Sequence, residues 1–232
     1  MRVLIKLIKW DFKLLLKYNI VTIAIVIALL YILLLRSLPF TNLDYISILL
    51  VISDPTMFGV LFIGVLVLYE KDNNTLNALI VTPLRPYCYL LSKAISLTIV
   101  AVPIALAIGL FGHGADIGYF PFLVSVILSS FIFVFLGFVV VSRSKGFNQF
   151  VIKFAVFTIP VSLPFLSLFN LVHSDLFYLV PSQATILLLK QSFNYYVESW
   201  KYIYAISYLL VWTYFSYYIA IRAYNLNLLN GR

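Results

Sequence analysis

The chain has 232 residues, 63% of them hydrophobic and 10% charged, with a formal net charge of +8. Soluble domains are about half apolar and about a quarter charged, so this balance excludes an ordinary soluble domain and points to a polytopic membrane protein. The lone Cys88 excludes an intramolecular disulfide framework and a multi-cysteine metal site, and its place beside a polar insert suits a reducing, cytosolic setting. The basic residues sit at the ends of apolar runs. Charges placed there set membrane orientation and argue against a nucleic-acid surface.

The chain begins with Arg2, Lys6, Lys9, Lys13 and Lys17, spaced four, three, four and four residues apart and so sharing one helical face. Leu4, Leu7, Ile8, Leu14 and Leu15 take other directions, with Trp10 and Phe12 placed for an interface. The pattern predicts an interfacial helix over 1–17 with its basic side toward anionic headgroups. A basic flank that only fixes topology fits it equally. No small-x-small cleavage site follows the first apolar run, so the segment does not read as a cleavable signal.

A bilayer-crossing helix needs about 20 mainly apolar residues. That rule places spans at 18–36, 46–69, 89–110, 122–141, 150–171 and 202–221. Asp54-Pro55 interrupts the second span. Asp54 is suited to cap a helix carrying Pro55 in its first turn, with 46–53 forming a shallow outer segment. With both termini inside, the inner segments hold Arg2, Lys6, Lys9, Lys13, Lys17, Lys71, Arg85, Lys93, Arg143, Lys145, Lys153, Arg222 and Arg232. The outer ones hold only Arg36, Lys190 and Lys201, a division of 13 to 3 among 16 basic residues. The bias predicts cytoplasmic N- and C-termini in a multi-pass cell-membrane protein.

Between the second and third spans lies a polar-ended insert, Glu70 to Pro86. Asn73 or Asn74 caps a helix expected over 73–82, Leu76, Leu79 and Ile80 line one face, and Thr82-Pro83 ends it. An ordinary capped loop accounts for the same residues. Glu70 and Asp72 on one side and Lys93 on the other gather charge at the inner ends of the flanking spans. Over 172–201, Leu176–Val180 and Ala184–Leu189 are separated by Pro181-Ser182-Gln183. Each piece is far too short to span, so an outer helical hairpin, re-entrant or superficial, is expected. Tyr195, Tyr196, Trp200, Tyr202 and Tyr204, then Tyr214, Tyr217, Tyr218 and Tyr224, form aromatic clusters at the two ends of the last span.

Enzyme signatures are scarce: there is no G-x-x-x-x-G-K-[ST], H-E-x-x-H or G-x-S-x-G. His113 and His173, both in expected outer loops, have no further metal ligands nearby in sequence. Thr158, Ser162 and Asn170 place polar groups along the fifth span, facing either a pathway or neighbouring helices. Pro103, Pro160 and Pro164 are candidate bends. Acidic residues do not cluster within the spans, which leaves a proton-relay transporter with thin support.

The run Leu68-Tyr69-Glu70-Lys71-Asp72, Thr75-Leu76-Asn77-Ala78-Leu79, Thr82-Pro83-Leu84-Arg85 and Tyr89-Leu90-Leu91-Ser92-Lys93 resembles type-2 ABC exporter permeases, with the closest look to fluoroquinolone-export-like permeases. Asp54-Pro55-Thr56 and Val180-Pro181-Ser182-Gln183-Ala184 fit the same subgroup. The resemblance implies an all-α membrane protein of six transmembrane helices, with an N-terminal interfacial helix, a cytoplasmic coupling helix and an outer helical hairpin before the last span. It implies a transport subunit without its own ATPase, no cofactor in this chain, and ATP and Mg bound by a partner ABC ATPase, two copies of which would serve a permease homodimer. It places Glu70, Thr75, Leu76, Leu79, Thr82, Pro83 and Arg85 at the ATPase contact, and export of a hydrophobic or amphipathic molecule as the function. A haem-handling permease of cytochrome maturation and a non-transporting scaffold are the alternatives.

Overall fold

The first helix follows from the period of its charges. In the computed structural model, which describes residues 2–37, 43–53, 58–73, 75–76, 85–172 and 174–229, helix α1 spans Arg2–Lys17. Lys6, Lys9, Lys13 and Lys17 are exposed, whereas Leu14 and Leu15 are buried and so is Asp11, a carboxylate on the apolar side. Asn19 adopts φ 56°, a left-handed conformation that asparagine tolerates, and α2 (Ile20–Ser37) starts at the next residue.

The stretch expected as the second span is divided between α3 (Leu43–Val51) and α4 (Phe58–Asp72). At 1.5 Å per residue α4 is about 22 Å long, short of the roughly 30 Å hydrocarbon core. The expected cap at Asp54-Pro55 lies outside the described residues. Helix α5 (Pro86–His113) opens on proline at its first position, where the missing N–H costs nothing, and closes where Gly114 at φ 105° donates its N–H to the Leu110 carbonyl. His113 therefore ends a helix instead of lying in a loop.

Helix α6 (Tyr119–Ser142) follows, then α7 (Phe147–Ser162), which breaks at Leu163-Pro164 before the short α8 (Phe165–Leu168). A 3₁₀ turn, Asp175–Leu179, capped by the Ser174 hydroxyl, leads to α9 (Pro181–Ser192). The last helix, α10 (Ser199–Tyr224), runs into a π-helical turn at Asn225–Leu229. Among the described residues, five stretches are long and apolar enough to cross a membrane: Ile20–Ser37, Pro86–His113, Tyr119–Ser142, Phe147–Leu168 and Ser199–Asn227. The described residues contain no strand. The chain is an all-α, multi-pass membrane protein.

Helix α6 is the hub, packed against α4, α5, α9 and α10, while α5 gathers α1, α2 and α3. Close approach of α4 to α6 depends on Gly137, where a Cβ would fall 2.7 Å from the Val60 Cα and from Ile63 Cγ2. Without a hydrophobic drive between helices in lipid, such small-residue contacts supply the packing. Helix α9 is buried along nearly its whole length, polar residues included. Those polar groups are satisfied inside: Ser182 Oγ donates to the Val161 carbonyl at 2.6 Å, beside the α7 break, and Ser167 Oγ donates to Gln183 Oε1 at 3.0 Å. Backbone freed by a broken helix is tolerated at membrane depth when neighbours accept the task, and Ser182 does so here.

Candidate functional site

Helical periodicity places Tyr89 and Lys93, four residues apart, on one face of the second turn of α5. Both reach Glu70 near the end of α4. The Lys93 ammonium donates to Glu70 Oε1 and, at 2.6 Å, to Asp11 Oδ1 of α1. The Tyr89 hydroxyl donates to Glu70 Oε2 at 2.6 Å. Lys93 is 1% exposed and the two carboxylate side chains 3% each, so the cluster is sealed. Ions buried this deeply each lose several kcal/mol of hydration, and the arrangement survives only through mutual pairing and added hydrogen bonds.

One lysine faces two carboxylates, and Asp11 Oδ2 is buried with no hydrogen-bond partner. Aromatic rings wall the site: Tyr89 lies 5.5 Å from Tyr224 of α10 and 6.1 Å, edge-on, from Phe138 of α6, and Lys93 Nζ sits 5.0 Å from the Tyr89 ring centroid. Three helices from distant parts of the sequence, α1, α4 and α5, are thus clamped at one end of the bundle.

The cluster stands at both roots of the 70–86 insert, since Glu70 leads into it and Tyr89 and Lys93 lead out. A second tie lies beside it. The rings of Tyr18 and Tyr69 stack at 4.1 Å and 2°, and Asn73 Nδ2 donates to the Tyr69 carbonyl at 2.8 Å. Leu76 is buried in the same apolar cluster as Leu14, Leu15, Leu68 and Leu90, whereas Thr75 is half-buried and Arg85 exposed. Leu79, Thr82 and Pro83, like most of the helix expected over 73–82, lie outside the described residues. Glu70 and Leu76 therefore face inward.

Thr158, Ser162 and Asn170 are not brought to this cluster. Thr158 Oγ1 donates to the Phe154 carbonyl and Ser162 Oγ to the Ile159 carbonyl, each at 2.9 Å within its own helix. Asn170 is exposed, at φ 57°. The residue that sequence reading missed is Asp11. Its signal was present as a single acid in the apolar stripe of Leu7, Leu14 and Leu15, but its partner lies 82 positions away.

A smaller polar group occupies the opposite end. His113 Nδ1 lies 2.7 Å from Asp44 Oδ1, and the Tyr195 hydroxyl donates to Asp44 Oδ2 at 3.0 Å. Burial and that hydrogen bond push the Tyr195 phenol up to about 12. The His113 ring stacks on Phe193 at 4.7 Å. No group of three metal-ligating side chains occurs among the described residues, His113 included; His173 lies outside them.

A model of the fluoroquinolones export permease protein family matches residues 2–230. The chain belongs to that family. The fluoroquinolones export permease proteins of two Mycobacterium tuberculosis strains, CDC 1551 / Oshkosh and ATCC 25618 / H37Rv, are each 27% identical over 165 residues, covering 69% of this chain and 68% of theirs. As a member of this export permease family, the protein is the permease of an exporter. The buried clamp around Lys93 thus belongs to a transport subunit.

Proposed function

We propose that the chain is the membrane-spanning subunit of an ABC exporter, moving a hydrophobic or amphipathic molecule outward with ATP and Mg bound by a separate cytoplasmic ATPase. The observation that carries the coupling reading is the Asp11–Lys93–Glu70–Tyr89 cluster at both roots of the 70–86 insert. A push on that insert meets a rigid base shared by α1, α4 and α5. On this reading Thr75, Leu79, Thr82, Pro83 and Arg85 meet the ATPase, while Glu70 and Leu76 hold the insert from within.

Six spans follow if α3 and α4 together make the second crossing. The 13-to-3 bias of basic residues supports cytoplasmic termini, which puts the Lys93 end inside and the His113 end outside. Exposed Lys6, Lys9, Lys13 and Lys17 then lie where anionic inner-leaflet headgroups would meet them. Two such chains and two ATPase subunits form the working unit, and the pathway runs near Thr158, Ser162 and Asn170. Export as the direction accords with the names of the mycobacterial relatives.

The test is ATP turnover in proteoliposomes holding the chain with each candidate ABC ATPase subunit from the same genome. Permease-dependent stimulation is expected, and Arg85→Glu should weaken assembly with the ATPase while leaving thermal unfolding of the isolated chain unchanged. Lack of both assembly and stimulation would overturn the reading.

A further inference from the structure

Far from Lys93, a pocket of about 220 Å³ opens between α9, the turn after α8 and the 194–198 loop. Gln183, Leu187 and Lys190 of α9 line it; at spacings of four and three residues they share one face of the helix. Gln183 is more than nine-tenths buried. Ser167 Oγ donates to its amide oxygen, and its amide nitrogen makes no hydrogen bond among the described residues.

Lys190 is half-buried and pairs with no carboxylate among the described residues; it makes one aromatic contact, 5.7 Å from the Tyr45 ring centroid. Burial pulls its ammonium below the ordinary lysine value. Glu198, the carboxylate on the pocket wall, is already consumed, accepting from Lys201 Nζ at 2.9 Å and from Trp200 Nε1. The pocket thus offers two donors without a partner among the described residues, one of them charged, beside the exposed Asn170 amide. Hydrogen bonds from a charged donor are the stronger ones, so the site favours a ligand that supplies acceptors.

We propose that this pocket binds the anionic headgroup, phosphate or carboxylate, of an amphipathic molecule, with Gln183 Nε2 and Lys190 Nζ as its hydrogen-bond donors. The adjoining pocket of about 240 Å³ shares Ser167, Tyr178 and Gln183 and carries Asp175 on its wall, leaving room for the hydroxyls of an uncharged remainder of the headgroup. Leu171, Leu176 and Leu179, next in sequence to Asn170, Asp175 and Tyr178, expose aliphatic surface on which the apolar part can lie. This site does not depend on an ATPase.

Native mass spectrometry of the purified full chain in micelles reads the binding directly, with phosphatidylglycerol, phosphatidylcholine or inorganic phosphate as separate probes. The wild-type chain is expected to hold phosphatidylglycerol about tenfold more tightly than phosphatidylcholine, the scale of one charged hydrogen bond. Lys190→Met and Gln183→Glu should each abolish that preference, the second by turning a donor into a like charge of nearly the same shape. Lys145→Met, at the other end, should leave it intact. Inorganic phosphate displacing the lipid at low millimolar concentration would support the anion chemistry and assign the site to a soluble anion. Equal retention of the two lipids, unchanged in both pocket variants, overturns the proposal and leaves the permease reading untouched.

Discussion

The two ends of the bundle use the same kinds of groups to opposite effect. At one end Lys93, Glu70, Asp11 and Tyr89 are sealed, at 1% and 3% side-chain exposure for the charged groups. At the other, His113, Asp44 and Tyr195 make two contacts of similar length, with the His113 and Asp44 side chains 16% and 25% exposed. Distance alone would rank them together. Burial separates them, because a sealed ion cannot fall back on water when its partner is removed, whereas a partly exposed group can.

The largest effect is expected from Lys93→Met. It leaves two buried carboxylates facing one another, a loss of about 3–5 kcal/mol read as a fall in the thermal unfolding midpoint in detergent. Replacing the whole group, with Asp11→Leu, Glu70→Met and Lys93→Met together, should recover most of that stability. Should the triple variant fold well yet lose ATP-driven transport, the charges serve coupling more than cohesion.

Next comes Tyr89→Phe, which removes one hydrogen bond to a charged acceptor and should cost about 1.5–3 kcal/mol by the same unfolding measurement. At the other end Asp44→Asn is expected to cost only about 1 kcal/mol. A loss there as large as that of Lys93→Met would break the comparison. Smallest of all is Glu198→Gln, whose carboxylate meets Lys201 and Trp200 in solvent. Its unfolding curve should overlay that of the wild type.

The helical class was legible because membrane helices are written as long apolar runs, and the runs around Ile20–Ser37, Pro86–His113, Tyr119–Ser142 and Ser199–Tyr224 are nearly unbroken. Residues 46–69 read as one stretch interrupted at Asp54-Pro55, and its described parts belong to two helices, α3 and α4, neither of full spanning length. Of the site, Glu70 and Lys93 could be seen as charges at the ends of apolar runs. That they close on each other, and that Asp11 joins them, depends on how α1 folds back onto α5. That contact is set by shape and not by any local pattern. The inward turn of Leu76 was equally invisible, since a buried leucine and a docking leucine look alike in a capped segment.

The enclosure of α9 also constrains the order in which the chain is built. Twelve residues with serine, glutamine and threonine among them cannot enter the bilayer alone. The walls that shelter this helix are α6, made before it, and α10, made after it. Synthesis of α9 therefore precedes completion of its own housing, and the segment must wait at the translocation machinery or the membrane surface until Ser199–Tyr224 has been inserted. A released chain truncated after Ser192 should have its α9 open to protease, and one extended through Tyr224 should have it closed.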